Sequence, residues 1–260
     1  CTEKNFMKSI FLEAGINHFG NLSEANAILK YFLKSKLKYL TYMIHTKEFY
    51  DSHKKKGIDF KLNYHFYKNA LQKCHLKKKK LGLAVCRKDT YSYLSDIKFD
   101  FYKLLSAGIN QKDLVLDLKR KNKPVFISTG LRVKDRDIKQ CLKLFLNKNK
   151  ISLLHSPMTY NLKELNFDRI RYLKRKFNVN VGYSNHNNDK NTLNILTAYN
   201  PKCLFLYCKP RRKKGRIYPD DEHAFFFEEL NEILNQYDSY LGMYKKSKKV
   251  KKIKIFKDEF

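Results

Sequence analysis

The sequence predicts an α/β protein folded as a (β/α)8 TIM barrel, on three observations. Short apolar runs alternate along the chain with segments of helical period. The runs are continuous rather than alternating in polarity, as expected of parallel strands covered on both faces. Eight of them fall within about 240 residues, the arithmetic of this barrel. An open, doubly wound sheet is the alternative, but no G-x-G-x-x-G turn follows the first run, so the usual nucleotide fingerprint of that fold is missing.

The first strand is read over residues 11–16. Asn21, with Glu24 three residues later, has the pattern of a helix N-terminus. Ala25, Ile28, Leu29, Phe32, Leu33 and Leu37 then recur at three- and four-residue steps, one face of a helix that must pack on something. Further strands are read over 39–44, 81–86, 101–105, 124–128, 151–155, 179–184 and 203–207. Helices are read between them over 62–79, 90–96, 111–121, 134–146, 162–177 and 189–199, with a last one over 222–236. Residues 1–237 thus read as one barrel and 238–260 as a basic, Lys-rich tail.

Composition excludes several classes. A chain of 260 residues with 43% hydrophobic content can bury about 70 to 75% of its unfolded surface, so general disorder is ruled out. No apolar stretch approaches the ~20 residues that span a bilayer, and no signal-peptide pattern stands at the start, so a soluble, cytoplasmic protein is expected. The six cysteines include no C-x-x-C pair and four sit in apolar surroundings, which reads as buried free thiols. Cys203 and Cys208 are five apart on one strand and so face opposite sides. The net charge of +30 would attract any polyanion, which leaves a basic binder of nucleic acid or anionic glycan as one reading. The charge is dispersed, however: the last sixteen residues carry eight Lys and two acids, and the rest lies in runs such as 54–56, 77–80 and 211–214 that read as solvated helix ends and loops.

In such a barrel, chemistry is built at the carboxyl ends of the strands. Those positions hold Glu13, Asn17, His18, Thr41, His45, Arg87, Lys88, Lys103, Ser106, Ser128, Thr129, His155, Ser156, Ser184, Asn185, His186, Tyr207 and Lys209. A rim of cations, hydroxyls and imidazoles suits a phosphorylated or carboxylated small molecule, whose oxygens it can neutralise and hydrogen-bond. Taken singly, each is equally a loop residue capping a helix, and His155 is either a site residue or a buried imidazole satisfied by a backbone carbonyl. His45, His53, His65 and His75 read as structural or solvated.

Five segments, in order and in register, resemble the sialic acid (N-acetylneuraminate) synthase family. Glu13-Ala14-Gly15-Ile16-Asn17-His18-Phe19-Gly20 is similar to its A-E-I-G-x-N-H-x-G, and Tyr102-Lys103-Leu104-Leu105-Ser106 to its Y-K-I-A-S. Lys123 to Gly130 resembles K-P-V-I-L-S-T-G, Leu153-Leu154-His155 with Tyr160 resembles L-L-H-C-x-S-x-Y, and Val181 to His186 resembles V-G-Y-S-D-H. The resemblance implies condensation of phosphoenolpyruvate with an N-acetylated aldehyde sugar of the N-acetylmannosamine type, giving a nine-carbon 2-keto acid and phosphate. By the same resemblance Lys103, Ser106, Ser128 and Ser184 would hold phosphate and carboxylate, and Glu13 would face the reacting carbons. His186 would bind a divalent metal, manganese or magnesium, that polarises the aldehyde oxygen. Tyr160 would contact the sugar, with Asn17 and His155 also in the substrate site.

The sequence also departs from the family pattern. Thr41-Tyr42-Met43 stands where the family has K-F-Q, so a substrate lysine is missing, and Arg87 or Lys88 is the candidate replacement or else points into solvent. Tyr207 stands where a second metal histidine is expected, and a protonated phenol is a poor ligand. Asp221-Glu222-His223 approximates the family's G-P-D-H, with Glu222 in place of a sugar-binding Asp. The resemblance covers the barrel alone. The family's antifreeze-like domain, which donates an arginine to the partner's site in a homodimer, is expected to be absent. A diverged barrel that binds an anionic ligand without condensing it is therefore the alternative function.

Overall fold

The computed structural model describes residues 10–130, 133–145, 147–211 and 215–243. Eight strands run parallel: β1 (Ile10–Gly15), β2 (Tyr39–Met43), β3 (Lys80–Val85), β4 (Phe101–Leu104), β5 (Val125–Ser128), β6 (Ile151–His155), β7 (Asn180–Ser184) and β8 (Leu204–Lys209). They pair in chain order, and β8 pairs with β1 to close the sheet. This is the (β/α)8 barrel that the alternation of runs predicts.

Alternate strand residues point to opposite faces, and the two faces carry different cores. Outward residues such as Leu12, Leu40, Leu83, Ile127, Leu153 and Leu206 join the helices in one large apolar layer. Inward, the lower barrel is filled by Phe11, Phe101, Leu154, Cys203 and Phe205, with Tyr39 and Phe126. Phe11 stacks between Tyr39 and Phe205, at ring-centre distances of 4.3 and 4.4 Å. Gly82 on β3 makes room for this packing, because a Cβ there would stand 2.2 Å from the Phe101 ring. The aromatic packing forms a floor, and the polar strand ends lie above it.

The helices are α1 (Leu22–Lys34), α2 (Lys47–Lys54), α3 (Tyr64–Leu76), α4 (Lys88–Tyr91), α5 (Lys112–Lys121), α6 (Asp135–Lys143), α7 (Asp168–Phe177), α8 (Lys190–Leu196) and α9 (Phe227–Met243). Asn21 caps α1 as the pattern predicts, its side chain accepting from the N–H groups of Ser23 and Glu24. Glu24 itself receives Arg216 at 3.0 Å. Asn122 and Asn178 end α5 and α7 in the left-handed conformation, the role glycine more often takes.

Several boundaries differ from the sequence reading. Helix α2 was not expected. None of its residues is fully buried, so it has no apolar stripe to read. The helix expected over 162–177 is a 3-10 turn at Leu162–Glu164 followed by α7, with Asn166 at φ 42° between them. The helix expected over 222–236 begins later, because a two-residue strand β9 (Phe225–Phe226) pairs with β8 first. It also continues to Met243 with Tyr237 and Leu241 buried, so the packed body extends beyond residue 237. The basic tail from 244 onward lies outside the described residues.

Among the described residues no helix is long and apolar enough to cross a membrane. Cys74, Cys86, Cys141, Cys203 and Cys208 are free and buried, while Cys1 lies outside the described residues. Cys203 joins the inner cluster and Cys208 the outer one, on opposite faces as their spacing requires.

One surface lysine became structural. Lys79 is buried, and its ammonium donates to the carbonyls of Phe32, Ser35 and Leu37, each at 2.7 Å, closing the C-terminal end of α1. Lys79→Met leaves those carbonyls without their donor and should cost about 1–3 kcal/mol by chemical denaturation at neutral pH. Burial, with Lys38 nearby, pulls this ammonium from 10.5 to about 8. Between those values the unfolded chain binds more protons than the folded one, so this residue's contribution to stability rises with pH across the window. Lys79→Met should remove that part of the rise, as denaturation curves at pH 8 and 10 would show.

Candidate active site

Three strands place one polar group each at the centre of the barrel, directly above the aromatic floor. Glu13 of β1, Lys103 of β4 and Ser184 of β7 all point inward, and all three are buried. The Lys103 ammonium lies 2.7 Å from both Glu13 carboxylate oxygens and 3.0 Å from Ser184 Oγ, which in turn lies 3.3 Å from Glu13 Oε2. The ammonium also stands over the Phe205 and Tyr207 rings at 5.0 and 5.5 Å. Thr41 of β2 is paired in register with Glu13, and its hydroxyl is buried without a hydrogen-bond partner. Ser128 of β5 is inward and buried.

A loop between β8 and β9 closes over this layer. Asn17 is fully buried and ties the loop down: its Nδ2 donates to the Cys208 carbonyl at 2.9 Å, and its Oδ1 accepts the Asp220 N–H at 3.0 Å. Asp220 then accepts the Ile16 N–H through Oδ2 at 3.4 Å. Gly15 permits this approach. It has φ +52°, and a Cβ there would lie 2.2 Å from Asp220 Oδ2. Burial raises the Asp220 carboxyl to about 7; the Ile16 N–H opposes that rise, Glu13 reinforces it and Lys103 again opposes it. Lys209, the last residue of β8, spends its ammonium on Asp221, on the carbonyl and Oδ1 at 2.8 Å each.

Beside Asp220, three rings stand together. His186, two residues past Ser184, has ring-centre distances of 5.2 Å to His223 and 5.5 Å to Tyr207, and Tyr207 lies 4.7 Å from His223. His186 Nδ1 is 3.1 Å from the Ser184 carbonyl. Burial, and then the positive charge of Lys103, holds His186 well below the usual imidazole range. His223 is lowered to about 4, by burial first and then Lys103. Both are therefore neutral at neutral pH. The Tyr207 phenol is pushed well above 10 by burial and by the Glu13 and Asp220 carboxylates, so it stays protonated.

The remaining expected site residues fall outside this cluster. His155 faces outward into the helix layer, where its Nε2 meets the Leu165 carbonyl at 2.7 Å, the backbone-satisfied alternative rather than the substrate-binding one. Ser106 starts a 3-10 turn after β4 and is half-buried. Asn17 holds the loop rather than facing the barrel centre. Tyr160 is 56% exposed, at the rim. Its phenol is raised to about 12, by burial first and then by its hydrogen bond to Glu222. Arg87 faces Asp89 at 3.7 Å and Lys88 is exposed, so neither replaces the missing lysine at the centre. Asp220 was missed by the sequence reading, which aligned Asp221-Glu222-His223 with the family motif. The carboxylate that enters is two positions before Glu222, directly after Pro219, and that Pro-Asp pair was the available signal.

The sequence model of the NeuB family matches residues 7–200. Two pseudaminic acid synthases of Campylobacter jejuni are similar: one is 33% identical over 88 residues and the other 30% over 89. Each match covers 33% of this chain and 26% of the relative, so it spans about a quarter of those proteins' length. The fold is shared with N-acetylneuraminic acid (sialic acid) synthetase of Leptospira borgpetersenii, crystallised with citrate. The TM-score is 0.80 at 18% identity, over 93% of this chain and 86% of that one. It is also shared with the spore coat polysaccharide biosynthesis protein spsE of Bacillus subtilis, at TM-score 0.75 and 19% identity over 90% and 68% of the two chains. With the family's sequence pattern running through three-quarters of its length, the chain belongs to the NeuB family.

Proposed function

We propose that the chain condenses phosphoenolpyruvate with an N-acetylated aldehyde sugar of the N-acetylmannosamine type, forming a 2-keto sugar acid and releasing phosphate. The observation that carries this reading is the buried Glu13–Lys103–Ser184 cluster, one cation with hydroxyls around it at the closed end of a polar mouth. Lys103 is the group to meet the carboxylate or phosphate of phosphoenolpyruvate, with Ser184, Ser128 and the unpartnered Thr41 hydroxyl donating to the remaining oxygens. A charge-assisted bond of this kind is stronger out of water than in it.

The reaction then balances as follows. Carbon 3 of phosphoenolpyruvate attacks the aldehyde carbon, whose oxygen takes a proton and becomes a hydroxyl. Water adds at carbon 2 and gives up one proton; the bond from carbon 2 to the phosphate oxygen then breaks as the new hydroxyl passes its proton to the leaving phosphate and becomes the keto oxygen. Glu13, released from Lys103 by the incoming anion, is placed to hold or move a proton at carbon 2. Asp220, with a carboxyl near neutrality, stands beside Glu13 and is the group to protonate the aldehyde oxygen. The divalent metal that the family resemblance implies would polarise that same oxygen, and His186, just past the end of β7, would be a residue to hold it.

A second reading has its own support. Thr41 and Tyr207 stand where the family pattern has lysine and histidine, which favours a barrel that binds phosphoenolpyruvate without condensing it. The two readings separate in one pair of measurements. Calorimetric titration with phosphoenolpyruvate should give saturable binding that Lys103→Met weakens at least about tenfold; no binding at millimolar ligand would sink both. Phosphate release with N-acetylmannosamine present supports condensation, and binding without release supports the second reading.

The same cluster has a stability signature. Glu13→Gln or Lys103→Met alone strands a buried charge and should cost about 3–5 kcal/mol. The double variant should recover most of that loss in chemical denaturation. Additive losses would mean that the pair is not coupled.

A further inference from the structure

Strand β8 offers no imidazole to a metal, but the loop behind it does. His223 sits in a turn closed by its own N–H to the Asp220 carbonyl at 3.1 Å, which carries its ring to within 5.2 Å of His186. Two imidazoles sharing one ion through nitrogens about 2.1 Å away have ring centres roughly 5 Å apart. Each ring, moreover, has one nitrogen facing the protein and one left over. His186 Nδ1 is held at the Ser184 carbonyl, and His223 Nε2 faces Asp220 Oδ1 at 3.6 Å. His223 Nδ1 is buried with no hydrogen-bond partner. This is the division of labour seen in metal-binding histidines, one nitrogen oriented by a carboxylate or carbonyl and the other free to ligate. Unmet, that buried nitrogen is a standing cost.

We propose that His186 and His223 together hold one divalent metal ion at the barrel mouth, the loop histidine replacing the strand-eight ligand that Tyr207 displaces, with Asp220 positioning His223. The inference rests on the functional reading for its purpose but not for its geometry. Among the described residues no set of three His, Cys, Asp or Glu side chains forms a metal cage. The other coordination positions therefore fall to water and substrate oxygens, an open site suited to a Lewis acid. Tyr207 contributes shape alone: its ring packs on both imidazoles and keeps them on the same side of the mouth.

The test uses the full chain with Mn2+ alone. Titration followed by the electron paramagnetic resonance of free Mn2+ should show one ion bound per chain, and pulsed measurements on the bound ion should show coupling to two imidazole nitrogens. His223→Ala and His186→Ala should each weaken binding at least about tenfold and remove one coupling. Tyr207→His in the His223→Ala background should restore both affinity and the second coupling, and circular dichroism melts would confirm that each variant is folded. Should His223→Ala unfold, His223→Gln and the nitrogen count of the unaltered chain carry the test. Unchanged binding without His223, a single nitrogen coupling, or no Mn2+ bound at millimolar concentration would overturn the proposal. Phosphoenolpyruvate binding measured without metal tests the functional reading separately, so either can fail while the other stands.

Discussion

Lys103 and Glu13 lie on opposite walls of a closed sheet, and the space between them is too small for water to separate their charges. Removing two ions from water costs several kcal/mol each, and only close pairing with further hydrogen bonds repays it. Ser184 supplies part of that return from a third strand, and the Phe205 and Tyr207 rings under and beside the ammonium supply another part. The pair therefore depends on all of β1, β4, β7 and β8 arriving in register, which ties its geometry to closure of the barrel. On the proposed reading the pair would be exchangeable, an incoming anion taking over the ammonium and leaving Glu13 free as a base.

The loop over the mouth is built on the same economy of space. Asn17 uses both ends of its amide, one on the β8 backbone and one on the loop, and Gly15 gives up a side chain so that Asp220 can enter. Asp220 in turn feels Glu13 and faces His223. One chain of contacts thus joins the first strand to the loop that follows the last. The charge of the central pair and the position of the rings at the mouth are parts of one arrangement.

Much of this was legible in the sequence, for identifiable reasons. Parallel strands covered on both sides leave continuous apolar runs, so all eight were found to within a residue or two. Glu13, Lys103, Ser128 and Ser184 could be named in advance because the strand ends are polar and the family resemblance singles them out, while the burial of all four is read only from the fold. His155 shows the limit: it follows Leu154, which faces inward, so the two-residue period of the strand already turned it outward. Helix α2 left no stripe because it buries none of its residues, and it is held by the Thr46 cap and by Phe49 packing on His45, His53 and Phe60. Asp220 and the partnership of His223 with His186 were hidden because a loop's contacts are set by where it lands and not by any period.

The layer around Phe11 carries a consequence for traffic. Seven side chains, five of them rings, fill the barrel on one side of Lys103, so on the proposed reading a molecule bound at the ammonium would approach from the carboxyl ends of the strands. Whatever reaches the ammonium must come in before anything that sits nearer the rim, and must go out after it. The depth of that stopper would therefore impose a queue, first in and last out, on the pair of molecules that the proposed reaction joins.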